Sequence, residues 1–332
     1  MPYRRQLMHT VLANFIAGLA LSASAQTTGT PPNSPTPAWP TQAVKIVVPY
    51  APGGTTDIAA RILAAELTKK WGQAVMVDNK PGASTQIGTD QVAKSKDGHT
   101  LLMTASPFAV NPSLFAKLPY DTYKDFKPVT LVVRNGLFLV TSGKQPYANI
   151  KDMVEAGKGD KTVSIASPAN GSMAHMVSEL IADQQKFNLL HVPYRGTPPA
   201  QTDVIAGQVQ FMFDNPSSSL ALIKDGKLKA LAYTGGKRSK ALPNVPTVAE
   251  TYPGFEALNW FGMLAPSSMD DKLLDRIARD ANDILKRKEV VDRFTSEGVE
   301  IGGIPREAFG AFLAVETIRW AKIVRTRNIK AD

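Results

Sequence analysis

The chain has 332 residues, 43% hydrophobic and 20% charged, which suits one large or two medium globular domains with true cores. It has no Cys, so disulfides, thiolate metal sites and a lipid-anchored Cys are excluded. Its formal charge is +9, yet the basic residues do not cluster with aromatics, and the tightest run, Lys286-Arg287-Lys288, ends a helical pattern where cations suit the dipole; no nucleic-acid partner is expected.

Residues 1–25 read as a signal peptide. Arg4 and Arg5 form a positive start, Val11–Leu21 is an apolar stretch, and Ala23-Ser24-Ala25 is a small-residue cleavage site. The stretch is too short for a membrane anchor, and the surroundings of Arg4-Arg5 match a twin-arginine signal poorly. Residues 26–38 are Thr/Pro-rich and read as a flexible tether.

Strand and helix patterns then alternate. Val44–Val48, Val75–Val77 and Thr100–Thr104 read as strands, with helices marked by Ala59, Ile62, Leu63 and Leu67 and by Ile87–Ala93. This rhythm predicts a parallel sheet with right-handed crossovers. A second set follows, with strands at Leu137–Thr141, Thr162–Ala166, Leu189–Val192, Val209–Phe213 and Leu228–Tyr233. Helices fall near Ile150–Ala156, Met173–Gln184, Pro199–Ala206 and Ser218–Ile223. Leu258–Ala265 is another apolar strand, and the chain ends in helices striped by Leu274, Ile277, Ala281 and Ile284 and by Phe309, Phe312 and Trp320. The expected architecture is α/β and two-lobed, with residues 39–136 and 259–332 in lobe 1, residues 137–258 in lobe 2, and a ligand cleft between them.

Three strand-to-helix turns share one chemistry. The first is Pro52-Gly53-Gly54-Thr55-Thr56-Asp57. The second is Ser167-Pro168-Ala169-Asn170-Gly171-Ser172, opening the helix that carries His175. The third is Tyr194-Arg195-Gly196-Thr197, before Pro198 at a first helical position. Each offers Gly for close approach, a hydroxyl, and free N–H groups at a positive helix end, which together suit an anion. Ser, Thr and Asp at such places also serve as plain caps, and Asp57 reads either way. Gly53-Gly54 lacks the spacing of a nucleotide loop. Phe108 is read as core or as a stacking wall for a ligand ring.

Enzymatic readings are thin. The four histidines form no His-x-x-x-His pair and no Gly-x-Ser-x-Gly elbow is present, so neither a metal site nor a cofactor is expected. Ser172 and His175 stand three apart on one helix, as a secreted hydrolase's nucleophile and base would. A capping Ser beside a packed His is the simpler reading. Asp214, after a strand, reads as a hinge or turn hydrogen-bonding group before it reads as a base.

Taken together these residues resemble the tripartite tricarboxylate transporter receptor family, the Bug-type periplasmic binding proteins. The resemblance runs from Trp39 to the C-terminal helix. It includes Val47-Val48-Pro49-Tyr50-Ala51-Pro52-Gly53-Gly54 with Asp57, Asp97-Gly98-His99-Thr100, His191-Val192-Pro193-Tyr194-Arg195-Gly196 and Leu242-Pro243-Asn244-Val245-Pro246-Thr247. It implies a type II Venus-flytrap receptor in the periplasm, monomeric and not an enzyme. Such a receptor captures a small organic carboxylate and, for some members, delivers it to the membrane components of a tripartite transporter. Sensing for a signalling partner is the alternative. By the same resemblance Pro52–Asp57, Asn170–Ser172 and Tyr194–Thr197 grip the ligand, with Ser106 and Asp214 nearby. An aromatic carboxylate is favoured slightly, for Phe108, over an aliphatic di- or tricarboxylate or an amino acid. Thr55 departs from the family's Pro-Gly-Gly-Gly-Thr-Asp, Ser84-Thr85 from its Pro-Gly-Ala-Gly-Gly, and Arg195 from its Lys.

Overall fold

The structure, a computed structural model, describes residues 39–296 and 298–331. The signal peptide and tether expected over residues 1–38 lie outside the described residues.

The first lobe begins with β1 (Val44–Val48), a short run of β-branched residues buried along most of its length. The chain turns at Pro49–Gly54 into α1 (Thr55–Trp71), which ends on Gly72 in the left-handed conformation. β2 (Val75–Asn79), α2 (Gln86–Ala93), β3 (Thr100–Ala105) and α3 (Pro107–Leu114) follow. Then come the long β4 (Phe126–Gly136) and, after only Leu137, β5 (Phe138–Ser142) of the second lobe. The second lobe continues through α4 (Ile150–Ala156), β6 (Val163–Ser167), α5 (Met173–Gln185), β7 (Leu189–Pro193), α6 (Thr197–Ala206), β8 (Phe211–Asp214), α7 (Pro216–Lys224), β9 (Leu228–Tyr233) and the one-turn α8 (Val248–Thr251). β10 (Leu258–Pro266) returns to the first sheet. α9 (Asp271–Leu285), α10 (Lys288–Ser296), β11 (Glu300–Ile301) and α11 (Arg306–Thr326) complete the fold.

The sheets have orders β11-β4-β10-β3-β1-β2 and β7-β6-β8-β5-β9. The predicted parallel pairing holds for β1 with β2 and β3, and in the second sheet β6 also runs parallel to β7 and β8. Both sheets are nevertheless mixed: β10 runs antiparallel to β3 and β4, and β5 antiparallel to β8 and β9. β4 and α3 are absent from the pattern reading because each carries an internal proline, Pro128 and Pro112. β4 tolerates its proline beside a register shift against β10.

The strands that cross between sheets are bonded to one another. Tyr233 Oη accepts from Gly136 N at 2.8 Å, Thr234 Oγ1 accepts from Leu137 N at 2.7 Å, and Leu137 O accepts from Thr234 N at 2.9 Å. Gly136 is required here, since a Cβ would stand 2.5 Å from Gly235 N. Beneath the cleft one apolar core joins Phe108 and Leu114 of α3, Met176 and Leu180 of α5, and Trp320 and Ile323 of α11. The stripe foreseen on α9 is buried against α1 and β4.

Candidate functional site

A cleft of about 1070 Å³ lies between the lobes, at the carboxyl ends of the parallel strands. Six helices begin on it. Gly54, Thr85, Pro107, Ser172, Gly196 and Asn215, at the starts of α1, α2, α3, α5, α6 and α7, all line its surface. The positive ends of six peptide-dipole arrays therefore converge on one volume. Arg195 is the lining cation and Asp214 the lining acid. Arg195 is exposed and forms no ion pair with a described residue.

The first-lobe wall is the turn after β1. Gly54, Thr55 and Thr56 line the cleft; Pro52, Gly53 and Asp57 do not. Asp57, 3% exposed, sits behind the turn and braces it. Its carboxylate accepts from Gly53 N at 2.9 Å, Arg61 Nε at 2.9 Å and Asn79 Nδ2 at 3.0 Å. Burial works to raise its pKa, but these hydrogen bonds outweigh burial and hold it below the ordinary carboxylate value. Asp57 is thus a positioning group that reaches back to the backbone ahead of the helix. Thr55 Oγ1 lies 3.0 Å from Ser217 Oγ at the start of α7, a bond that spans the cleft.

The second-lobe wall is braced by backbone bonds and an imidazole pair. Tyr194 N donates to Ser167 O and Gly196 N to Pro168 O, each at 2.9 Å, so the two loops are zipped together. Asn170, Ser172, Tyr194, Arg195, Gly196 and Thr197 line the cleft. Behind them the rings of His175 and His191 stack with centroids 3.6 Å apart, and Ser167 Oγ lies 2.6 Å from His191 Nε2. Burial and the neighbouring His175 push the His191 pKa down to about 3, so this imidazole is neutral.

Ser172 stays on the cleft surface, while His175, Ser106, Ser167, Gly171 and Phe108 fall behind it. Ser172 Oγ accepts from the backbone N of His175 at 3.3 Å, while His175 Nδ1 accepts from Gly171 N at 3.1 Å. The hydroxyl is a helix cap and the imidazole a brace, so the pair is not a nucleophile and its base. Ser106 is fully buried, and its Oγ accepts from Trp260 N at 3.0 Å. Ser167 is likewise buried. Gly171, at φ +71°, lets the loop pack on Leu114, whose Cδ2 lies 2.4 Å from where a Cβ would be. Phe108 turns away from the cleft. It is 2% exposed and meets Tyr120 and Phe126 in a three-ring cluster, so it forms no ligand wall. The apolar core under α3 outcompetes the cleft for this ring.

Asp214 does line the cleft. It is 2% exposed, and its carboxylate accepts from Gln201 Nε2 at 2.6 Å, Ser218 Oγ at 2.6 Å and Asn215 N at 2.8 Å. Burial outweighs these bonds and pushes its pKa up to about 6. Sequence reasoning missed three further parts. Ala83, Ser84 and Thr85 line the cleft with φ of 46°, 49° and 77°, keeping the left-handed path that glycines would take at no cost. Asn111, 1% exposed, donates to Ser84 O and to Thr85 Oγ1, each at 3.3 Å. Asn215 and Asn259 stand at the base of the cleft. The available signal for Asn259 was one carboxamide inside the apolar run Leu258–Ala265.

Among the described residues no group of three His, Asp or Glu side chains is placed to hold a metal ion, and no helix is long and apolar enough to cross a membrane. The sequence profile of the tripartite tricarboxylate transporter family receptor matches residues 59–329. The fold is similar to the periplasmic binding protein BugD, with a TM-score of 0.77 and 33% identity over 89% of this chain and 100% of that one. A protein of R. palustris solved with adipate gives a TM-score of 0.79 and 30% identity over 88% and 99% of the two chains. MatC from Rhodopseudomonas palustris with bound malate gives 0.76 and 28% over 86% and 99%.

Proposed function

Because this chain belongs to the tripartite tricarboxylate transporter receptor family, we propose that it captures a small aliphatic carboxylate in the periplasm and hands it to the membrane components of a tripartite transporter. The convergence of six helix starts on one cleft carries this reading. Backbone N–H groups at such ends hold a carboxylate without needing a buried lysine or arginine. Gly54–Thr56 on one side, with Asn170, Ser172 and Tyr194–Thr197 on the other, are the grip. Asp57 and His175 hold the grip in shape. Lobe 1 takes residues 39–136 and 259–332 and lobe 2 residues 137–258, closing about the bonded crossing at Gly136–Leu137 and Thr234.

An aliphatic acid is favoured over an aromatic one on two grounds. Phe108, the residue that favoured a ring, belongs to the core. Two related proteins were solved with adipate and with malate. Thermal-shift measurements over a panel of aliphatic acids, benzene carboxylates and neutral or cationic solutes test the proposal. Ligand at 100 times its Kd stabilises by about 2.7 kcal/mol, a rise of a few degrees in Tm. Stabilisation by aliphatic acids is expected. Stabilisation by neutral or cationic solutes alone would overturn the carboxylate reading, and by benzene carboxylates alone its aliphatic part.

A further inference from the structure

One buried acid of the second lobe is paired with a cation from the other side of the fold. Glu179 is 8% exposed, on α5, whose Met176 and Leu180 enter the apolar core. α5 packs on β6 and β8 of the second sheet, while α11 packs on α3 and on β4 of the first. The end of α11 nevertheless reaches α5: Arg327 Nε donates to Glu179 Oε2 at 2.7 Å. A carboxylate that deep needs such a partner, because losing one member of a buried pair leaves a charge with no counterion. Its other oxygen, Oε1, lies 3.7 Å from His175 Nε2. Burial works to raise the Glu179 pKa, but His175 and Arg327 outweigh burial and hold it below the ordinary carboxylate value.

The same imidazole holds the cleft. A backbone N–H only donates, so the 3.1 Å bond from Gly171 N requires a bare Nδ1 on His175. The ring proton is then on Nε2, the nitrogen that faces Glu179. Gly171 stands between Asn170 and Ser172, which line the cleft. A run of contacts therefore leads from Arg327 to Glu179, to His175, and to the loop that faces the ligand. A second proton on His175 has only Nδ1 to go to, where it would confront the Gly171 N–H and undo the brace. Glu179 meets the ring from its own helix, Arg327 acts on it from α11 through Glu179, and the neutral His191 stacks on it from β7. β6 and α3 carry no ionisable group, and Asp214 of β8 is bonded to Gln201, Ser218 and Asn215.

We propose that Arg327 is a positioning residue for the cleft: by neutralising Glu179 it keeps His175 with a bare Nδ1, and so keeps Gly171 and the loop around it in the shape that grips ligand. The inference rests on the reading of Asn170–Ser172 as part of the grip. Without the guanidinium, the buried carboxylate draws a second proton onto His175 as pH falls.

Imidazole NMR and calorimetric titration with malate and adipate, between pH 8 and pH 6, test it. In Arg327→Met the His175 ring should take up its second proton at higher pH than in wild type. Affinity for the acid should fall about fivefold more from pH 8 to pH 6 than it does in wild type. Asp214 and the acid titrate in both proteins, so the variant-to-wild-type ratio isolates the effect. Arg327→Lys keeps the cation and should follow wild type. Arg327→Met combined with Glu179→Gln should return the ratio to within about twofold, because no buried carboxylate is left to draw the proton. A loss of affinity in Arg327→Met that is equal at both pH values, or no loss, would overturn the inference, as would an unchanged His175 titration. Failure of both acids to bind wild type would count against the carboxylate reading alone, since the imidazole titration needs no ligand and still decides the role of Arg327.

Discussion

The two walls of the cleft do one job with different engineering. The first-lobe turn is held by a buried carboxylate that bonds Gly53, Arg61 and Asn79. The second-lobe loops are held by backbone bonds and by a stacked imidazole pair, in which His191 is neutral and His175 Nε2 lies 3.7 Å from the Glu179 carboxylate. A carboxylate brace and an imidazole brace both leave helix N–H groups free to face a ligand. The difference lies in what pH and mutation do to each. Asp57 has a lowered pKa, so the stability it contributes is present above the unfolded carboxylate value and lost as pH falls through its folded value.

The sharpest way to break the comparison is to remove the charged brace. Asp57→Ala should destabilise the protein by about 3 kcal/mol, measured by urea unfolding at pH 7, because three donors lose their acceptor and Arg61 its partner. A cost below about 1 kcal/mol would put the two walls on equal footing.

Asp214 gives an effect of similar size with the opposite sign. Its folded pKa of about 6 exceeds the ordinary 3.8, so the neutral form is favoured on folding. Stability from it is full below the ordinary value and falls as pH rises through about 6, by about 3 kcal/mol in all. Asp214→Asn should remove this component. Unfolding midpoints of wild type and variant, compared at pH 4 and pH 8, should diverge accordingly, and parallel midpoints would refute the assignment.

Glycine substitutions sharpen the contrast further. Gly171→Ala meets both a left-handed φ and Leu114 Cδ2, and should cost about 3 kcal/mol. Gly53→Ala has a φ of +89° but open space, and should cost only about 1 kcal/mol. Thermal denaturation of the pair checks the order. The smallest effect is expected at the mouth. Ser217→Ala removes an exposed cross-cleft bond to Thr55, worth about 0.5 kcal/mol or less, and should expand the ligand-free protein slightly in small-angle scattering. Unchanged scattering would mean that the bond does not bias closure.

Much of the fold was legible because its strands are short, β-branched and bounded by Gly and Pro. β1 and α4 appear with the bounds their patterns predict. β4 was not, because Pro128 breaks the alternation and only the partner strand β10 explains how the proline is carried. The loops that face the cleft were readable from Gly and hydroxyl residues before helices. Which member of each loop faces inward was not: Gly54–Thr56 line the cleft while Asp57 braces from behind.

The sequence by itself determined the family, the alternation of strands and helices, and the chemistry of the turns, since these rest on local backbone preference and side-chain type. Tertiary structure alone decided direction and company. Phe108 entered the core because two more rings, Tyr120 and Phe126, were waiting there. Asn135, Asn215 and Asn259 come from positions far apart in the chain, and no local rule joins them. They meet because two sheets cross at Gly136, where the Asn135 and Asn259 amides both donate to Asn215 Oδ1.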